Sequence, residues 1–408
     1  MGAPTGSGDL RARGGSSRRG GSVAALAVVA ALALAGSEPA AGPAALAVPL
    51  AAPTSPAPAG TAGGDLPAPD ELGGHGVGYQ TVTIVDDFRH RTLTTAVWYP
   101  SEDRLPGPAG GSVTPASYEI APRVGIQSRV AVADAPVERG RFPLVVLSHG
   151  SAGNRVQLAS LAEVLASHGY VVAAPDHPGD TMADFAAGRD ESQIGEASDR
   201  PLDVSAVIDW MLCPDQEFGP VLNPGQVAVV GFSFGGLTAL VSPVGFLHAP
   251  GDPRVRVVVA ISPASEVLPA GVVARIRVPT LLIGGTVDPL TPIEHNADQT
   301  FGELTSAPDR LEVRVPRGTH NSFTDLCDQA YLAANGLVPQ GIRVRLQLGA
   351  LVTCLPPMVV AAQAQQVARW YTVAYLERYL RGDTRYGRFL TPAASAGLPV
   401  PVTVRTAP

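Results

Sequence analysis

Short, continuous runs of apolar residues recur along the chain and alternate with segments of helical period. The runs comprise residues 144–147, 170–174, 227–230, 255–261, 280–283 and 311–315. Runs of this length are typical of parallel strands that are buried on both faces of a sheet. Because parallel strands need crossovers between them, this alternation predicts an α/β fold with helices on both faces of a mostly parallel sheet.

The segments between the runs place apolar residues three or four positions apart, as one face of a helix requires. The predicted helix 156–168 ends before Gly169, and the predicted helix 201–212 begins at Pro201, which a first helical turn tolerates. The other predicted helices are 236–241, 293–301 and a closing helix, 359–380. Residues 81–85 and 93–99 indicate an antiparallel hairpin at a sheet edge, which gives about eight strands in all. Residues 101–140, punctuated by Pro and Gly, are predicted to be loop-rich.

The first 74 residues follow a different pattern. A polar segment with four Arg and one Asp precedes 13 uninterrupted apolar residues, 23–35. This run is too short to span a membrane but suits a signal peptide, and Ala33-Leu34-Ala35 fits a cleavage site. We predict an export signal at 1–35, with an uncleaved anchor as the alternative. The Ser17-Arg18-Arg19 step resembles a twin-arginine signal without its usual flanking residues, so the Sec and Tat routes both stay open.

Residues 36–74 are mostly Ala, Pro, Gly and Thr. They cannot bury enough apolar surface to offset the entropy of ordering them, so we predict a disordered linker. The folded domain is predicted to span residues 75–390, followed by a C-terminal tail, 391–408. We therefore expect a secreted or cell-envelope protein with no stable membrane span after signal cleavage.

Charge and composition exclude several classes of function. The 408 residues include 29 basic and 36 acidic side chains, a formal net charge of −7, and every basic residue is Arg. A negative chain without basic clusters is a poor nucleic-acid binder. The absence of Lys excludes Schiff-base chemistry and a Walker-type phosphate site. Because no Cys or His spacing indicates a metal, we predict neither metal nor cofactor.

One predicted strand runs directly into a glycine-rich turn that carries a serine. Residues 227–230 precede Gly231-Phe232-Ser233-Phe234-Gly235-Gly236, and a helix is predicted after the turn. This G-x-S-x-G pattern between strand and helix is typical of a nucleophile elbow. The turn is so sharp that Ser233 is strained and side chains at Gly231 and Gly235 would collide with neighbouring elements. We predict that Ser233 is a nucleophile.

A serine nucleophile needs a base, and the base needs an acid that orients it. With a nucleophile elbow, the chain order is Ser, acid, His. Asp288 follows the strand at 280–283 and His320 follows the strand at 311–315, so both are expected at the sheet edge that carries Ser233. Glu266, after the preceding strand, is the alternative acid.

Acyl transfer also needs donors for the oxyanion of the tetrahedral intermediate. The backbone N–H of Phe234, directly after the nucleophile, is one candidate. The other is the backbone N–H of Ser151, in the loop after an early strand, where Gly150 allows close approach. His149 in the same loop is predicted to be structural.

Three further features concern the surroundings of this site. Of Cys213, Cys327 and Cys354, we predict a Cys327–Cys354 disulfide, because both lie between His320 and the closing helix; three buried thiols are the alternative. The acidic segment 184–200 fits no EF-hand, so a solvated loop is favoured over a flap or a calcium loop. Asp176 and His177 follow a strand end, where lining the pocket and packing are equally open.

The chain resembles the platelet-activating-factor acetylhydrolase-like and predicted dienelactone-hydrolase-like serine hydrolases over roughly residues 75–390. The resemblance implies an α/β-hydrolase fold, with Ser233 as nucleophile, Asp288 as acid, His320 as base and the backbone at Ser151 and Phe234 as oxyanion hole. Authentic dienelactone hydrolases have a Cys nucleophile, whereas this chain has Ser. The segments that carry the resemblance are Val97-Trp98-Tyr99-Pro100, Phe142-Pro143-Leu144-Val145-Val146-Leu147-Ser148-His149-Gly150, Ala174-Pro175-Asp176-His177-Pro178-Gly179-Asp180-Thr181, Arg200-Pro201-Leu202-Asp203-Val204 and Gly231-Phe232-Ser233-Phe234-Gly235-Gly236.

The resemblance suggests hydrolysis of carboxylic esters, with a small molecule or a lipid as substrate. An amidase or peptidase would use the same triad. A non-catalytic binding protein on the same scaffold is the third hypothesis.

Overall fold

The computed structural model describes residues 2, 47–49, 66–105, 113–121, 123–335 and 338–408. The predicted signal and most of the predicted linker therefore lie outside the described residues. Part of that linker, residues 66–74, is described: Leu66 and Leu72 pack against the core, and Asp70 accepts a 2.6 Å hydrogen bond from Gln366. Packing contacts thus begin before the predicted domain boundary at residue 75.

Within the described residues, one twelve-stranded sheet forms the centre of the domain. Its order is β1-β5-β2-β3-β7-β6-β8-β11-β12-β13-β14, with β4 paired to β5. The strands are β1 (Ala47–Pro49), β2 (Gly76–Asp86), β3 (Arg91–Ser101), β4 (Pro115–Ala121), β5 (Val124–Ala133), β6 (Phe142–Ser148), β7 (Val171–Pro175), β8 (Leu222–Phe232), β11 (Val255–Ile261), β12 (Thr280–Gly285), β13 (Arg310–Val315) and β14 (Thr403–Ala407). A separate antiparallel pair joins β9 (Gly245–Phe246) to β10 (Ala249–Pro250).

Six neighbouring strands of the sheet are mutually parallel: β7, β6, β8, β11, β12 and β13. They correspond to the six predicted apolar runs. Every residue of β6 is buried, because helices cover both faces of the sheet. One apolar cluster packs against α1 (Ala159–Ser167) and α9 (Ala361–Tyr379), and the other packs against α3 (Gln193–Leu212) and α4 (Phe234–Val241). The predicted α/β fold with a mostly parallel sheet is confirmed, but in the described part of the chain the sheet has twelve strands instead of the predicted eight or so. The predicted edge hairpin, β2 and β3, lies inside the sheet, because β5 pairs with β2 and β7 pairs with β3.

The remaining helices are short or follow the last predicted strand. They are α2 (Met182–Ala186), α5 (Ala270–Val273), α6 (Ala297–Glu303), α7 (Leu326–Ala334) and α8 (Gln340–Thr353). Short 3₁₀ helices occur at Gly219–Val221, His320–Phe323, Thr384–Leu390 and Pro392–Gly397. None of the helices in the described parts of the chain combines the length and the apolar character of a membrane span.

Two sequence-based expectations about local structure are wrong. The loop-rich region 101–140 contains β4 and β5, where Ala116, Tyr118 and Ile120 are buried while Ser117 and Glu119 are exposed. This is the period of a half-buried strand, which the surrounding Pro and Gly residues obscure.

The other error concerns the start of α3. This helix begins at Gln193, capped by Ser192, whose side chain accepts the Gly195 N–H at 3.2 Å. Pro201 is therefore inside the helix, and the second half of the supposed solvated loop is helical, with Glu196 and Arg200 buried. The cap stabilises a start that precedes the first apolar repeat of the segment.

The C-terminal part of the chain adds one strand and one disulfide to the fold. The predicted tail 391–408 contains β14, which pairs antiparallel with β13. The predicted Cys327–Cys354 disulfide is confirmed, with a Cα–Cα distance of 5.8 Å, while Cys213 is a free thiol. The disulfide joins the start of α7 to the end of α8, so these two helices form one cross-linked unit directly after His320.

Candidate active site

The turn between β8 and α4 holds Ser233 in a strained conformation. Its φ is 57° and its ψ is −119°, a region that non-glycine residues rarely adopt. Backbone bonds fix it there: the Ser233 N–H donates to the Ile261 carbonyl at 2.9 Å, and the Ala264 N–H donates to the Ser233 carbonyl at 3.0 Å. A Cβ at Gly231 would overlap the backbone of Gly235, and one at Gly235 would overlap the backbone of Ser148. The geometry therefore requires both glycines.

The structure brings the three sequence-predicted residues of the triad into one hydrogen-bonded chain. His320 Nε2 is 2.8 Å from Ser233 Oγ, and His320 Nδ1 is 2.8 Å from Asp288 Oδ2. Asp288 and His320 are buried, whereas Ser233 is partly exposed. The arrangement leaves the hydroxyl accessible and protects the two groups that would activate it from water.

Asp288 is held as a carboxylate by its surroundings. Burial would raise its pKa, but the charge and hydrogen bond of His320, together with hydrogen bonds from Thr291, outweigh burial and keep the pKa below its ordinary value. Its Oδ1 accepts the backbone N–H groups of Leu290 and Thr291, each at 2.9 Å. The Thr291 hydroxyl donates to Oδ2 at 2.8 Å. These donors also fix the orientation of the carboxylate toward His320.

The alternative acid, Glu266, does not occupy the equivalent position. Its side chain is exposed, and the bond recorded for this residue runs from its backbone N–H to Asn296 Oδ1 at 2.9 Å. Asp288, and not Glu266, contacts His320.

The two candidate oxyanion donors belong to residues close to Ser233. Phe234 is the first residue of α4, directly after the serine. Gly150 lies so close that a Cβ there would be 3.2 Å from the Cβ of Ser233, and Ser151 follows it. Among the described residues, no acceptor is recorded for the N–H of Ser151 or for that of Phe234. Both donors are thus available to a ligand oxygen.

His149 is placed as a structural residue. It is buried beside Arg200 and His177. Its pKa lies well below the ordinary value, first because of burial and then because of the charges of these two neighbours. Its Nδ1–H donates to the Gly150 carbonyl at 2.7 Å, and its Nε2 accepts the His177 N–H at 3.1 Å. With both ring nitrogens engaged by the backbone, His149 shapes the loop and does not reach the nucleophile.

The structure contains a second Ser–His–Asp set, formed by Ser148, His177 and Asp203. His177 Nε2 is 2.9 Å from Ser148 Oγ, and His177 Nδ1 is 2.9 Å from Asp203 Oδ2. All three side chains are fully buried, and burial, followed by the charge of Arg200, lowers the pKa of His177 to about 4. Since no substrate reaches this serine, the set ties β6 and β7 to α3. His177 therefore packs rather than lines a pocket.

The sequence pattern does not assign a role to a buried charged cluster that contacts the loop containing Ser151. Asp180 and Arg200, which are 2% and 1% exposed, form an ion pair. Glu196 lies beside them, and burial, followed by the charge of Asp180 and a hydrogen bond with it, raises the pKa of Glu196 to about 9. At neutral pH Glu196 is therefore protonated. Its position one helical turn before Arg200 is the sequence signal that links the two residues.

Replacing Glu196 by glutamine is expected to change the pH dependence of stability. A carboxyl group whose folded-state pKa lies above its unfolded value, here about 9 against 4.5, contributes stability below pH 4.5 that is lost as pH rises through 9. The melting temperature of Glu196→Gln should therefore rise relative to the parent protein between pH 5 and pH 9. Glu102→Gln, at an exposed site, is the control and should show no such trend; a constant offset for Glu196→Gln would contradict the assignment.

Helix α8 contacts the loop that contains Ser151. Arg345 Nη2 donates to the Ser151 carbonyl at 3.3 Å, and its guanidinium lies 4.7 Å from the centroid of the Phe185 ring. At the other end, Thr353 accepts a 3.2 Å hydrogen bond from Thr319, the neighbour of His320. The outer face of α8 is apolar and exposed, with a stripe formed by Val344, Leu348, Leu351 and Val352.

Comparison with known proteins agrees with this fold. The profile of the family described as platelet-activating factor acetylhydrolase, isoform II, matches residues 91–200. The chain is 22% identical over 264 residues to cutinase est1 of Thermobifida alba, which covers 64% of this chain and 69% of the relative. It is 25% identical over 264 residues to cutinase 2 of Thermobifida cellulosilytica, covering 64% and 78%, respectively.

A solved structure extends the likeness to most of the domain. The ferulic acid esterase from Streptomyces cinnamoneus is 27% identical to this chain and superposes with a TM-score of 0.55, covering 75% of this chain and 91% of that one. The relatives and the structural neighbour are ester hydrolases by name, and the fold they share with this chain is the one described above. This protein is a carboxylic ester hydrolase of the α/β-hydrolase superfamily.

Proposed function

We propose that the protein cleaves carboxylic esters through a Ser233–His320–Asp288 triad and a covalent acyl-enzyme. The observation that carries this proposal is the continuous chain of two 2.8 Å contacts from the strained, accessible serine to the buried aspartate. The two N–H groups beside Ser233, those of Ser151 and Phe234, supply the oxyanion hole.

The proposed reaction has two halves. Ser233 Oγ attacks the ester carbonyl while His320 Nε2 takes the hydroxyl proton, and the oxyanion turns toward the N–H groups of Ser151 and Phe234. The intermediate collapses when His320 returns the proton to the leaving alcohol. Water, deprotonated by His320, then cleaves the acyl-enzyme and restores Ser233. Asp288 stays ionised throughout and stabilises the imidazolium form of His320.

The surroundings of the site support an ester with an apolar part, either a small molecule or a lipid. Val287 and Leu290, on both sides of Asp288 in sequence, are large apolar residues that remain 46% and 39% exposed. The stripe of α8 adds further exposed apolar surface on the segment that contacts Ser151. Apolar surface of this kind, next to a few polar groups, is typical of a ligand site.

We also propose that the protein is exported. The apolar run 23–35 has the length of a signal peptide, and the Cys327–Cys354 disulfide suits an oxidising compartment.

Hydrolysis of p-nitrophenyl esters of graded acyl length, from acetate upward, tests the proposed activity. Turnover of these esters with little turnover of the matching p-nitroanilides is expected, since nothing in the triad favours the poorer amide leaving group. Ser233→Ala is the control. Comparable anilide turnover would indicate an amidase or peptidase, and no turnover by folded protein would indicate a binding protein.

A further inference from the structure

The buried pair of Asp180 and Arg200 contacts both sides of the oxyanion hole. We propose that this ion pair is a positioning device that sets the direction and spacing of the Ser151 and Phe234 N–H groups; the inference rests on the proposed function. Neither side chain touches the triad, so their effect on catalysis passes through the backbone that they hold.

The first contact orients the peptide that contains the Ser151 N–H. Arg200 Nη2 is 3.4 Å from the Gly150 carbonyl oxygen, which also accepts the 2.7 Å bond from His149, and Arg200 Nη1 donates to the His149 carbonyl at 2.6 Å. The Gly150 carbonyl and the Ser151 N–H belong to one planar trans peptide, so they point in opposite directions. Holding the carbonyl on the Arg200 side therefore turns the N–H away from Arg200.

The second contact holds the residue after Ser151 in an unfavourable conformation. Ala152 has a φ of 48°, in the left-handed region that residues with a Cβ avoid. Asp180 Oδ1 accepts the Ala152 N–H at 2.7 Å and the Ser151 hydroxyl at 2.9 Å. A strained backbone of this kind persists only where its surroundings determine it. Asp180 thus holds the backbone at Ala152 in this conformation, while Arg200 orients the peptide between Gly150 and Ser151.

The third contact reaches the other donor. The guanidinium carbon of Arg200 lies 5.1 Å from the centroid of the Phe234 ring, a distance at which a cation and an aromatic face attract. Phe234 carries the second N–H of the hole. One side chain, Arg200, therefore touches the loop that bears one donor and the residue that bears the other.

The charges of the cluster support a positional role. Asp180 neutralises Arg200, and Glu196 is uncharged at neutral pH, so the three groups together present no net charge to the site. A buried ion pair is also a weak source of stability, because desolvation offsets the attraction between its members. What remains is the directional hydrogen bonding that a guanidinium–carboxylate pair provides.

The inference is tested by substituting either residue of the pair and measuring kcat, KM and the affinity for a ketone inhibitor, which a change in stability alone does not alter. For Arg200→Met and Asp180→Asn, we expect kcat for a p-nitrophenyl ester to fall about 10²-fold, as when one oxyanion donor is removed, with KM changed by less than about threefold. Affinity for a trifluoromethyl ketone, which forms a tetrahedral oxyanion on Ser233, should weaken in parallel. Arg200→Lys should recover part of the loss.

Arg405→Met is the matched control, because it also removes the 2.6 Å ion-pair partner of a buried acidic side chain, that of Glu312. It should keep kcat within about threefold of the parent enzyme. Folded Arg200→Met with unchanged kcat and unchanged ketone affinity would overturn the inference, as would an equal loss of kcat in Arg405→Met.

A milder variant covers the case in which Arg200→Met does not fold. Ser151→Ala removes the hydroxyl bond to Asp180 and leaves every buried charge in place; it should lower kcat about fivefold, the size of a single hydrogen bond, and an unchanged kcat would overturn the inference. Failure of the proposed function is distinguishable, because the parent enzyme would then show no ester turnover or Ser233→Ala would retain it.

Discussion

Replacing Ser233 by alanine is expected to lower kcat for ester hydrolysis about 10⁶-fold, while KM changes little. The hydroxyl is the group that forms the acyl-enzyme, and His320 Nε2 lies 2.8 Å from it, ready to accept its proton. Without Oγ, the oxyanion hole and the binding surface remain, so slow hydrolysis by bound water is all that persists. Initial rates on a p-nitrophenyl ester at equal enzyme concentration give the ratio.

The chain supplies its own matched control in the buried Ser–His–Asp set. Ser148 also contacts a histidine, at 2.9 Å, but is fully buried. Ser148→Ala should therefore retain kcat within about tenfold of the parent enzyme, even though it too removes a serine hydroxyl that contacts a histidine. Equal losses in Ser233→Ala and Ser148→Ala would contradict the assignment of Ser233 as the nucleophile.

Replacing Asp288 by asparagine is expected to lower kcat about 10⁴-fold. Oδ1 accepts two backbone N–H groups, so the amide oxygen of asparagine would take that place and its NH₂ would face His320 Nδ1. His320 would then have to accept at Nδ1 and carry its proton on Nε2, where it could not take the Ser233 proton. The loss should appear in kcat, measured with the same ester series.

Glu266→Gln is the control for this prediction, because Glu266 is the other acidic residue that chain order allows. Its exposed side chain is not recorded in contact with His320, so activity should stay at the parent level. A large loss in Glu266→Gln together with near-normal Asp288→Asn would show that the acid had been wrongly assigned.

The residues that meet at the site follow from simple rules of strand order. Ser233, Asp288 and His320 each come directly after an apolar run, and the carboxyl ends of parallel strands share one edge of the sheet. The elbow glycines were predictable for a similar reason, since the turn after β8 has no room for a Cβ. The sequence pattern and the sheet topology are therefore sufficient to predict a residue's role when that role depends on the strand that the residue follows.

Other parts of the site depend on contacts that the pattern does not encode. Arg200 reads as a surface residue, because a buried charge is recognisable only once its partner Asp180, 20 residues earlier, is placed beside it. The α7–α8 pair has an apolar outer face, so its periodicity does not distinguish the exposed side from the buried one. The strands β4 and β5 pair with each other, but the Pro and Gly residues around them in sequence obscure the half-buried period of β4.

The most direct test of the triad is covalent labelling of the folded protein with a fluorophosphonate, followed by mass spectrometry of its peptides. The phosphonyl group should be found on Ser233, because this serine is strained, partly exposed and 2.8 Å from a histidine that contacts a buried carboxylate. Ser233→Ala should not be labelled. Labelling of another serine, or no labelling of folded protein that hydrolyses esters, would contradict the account.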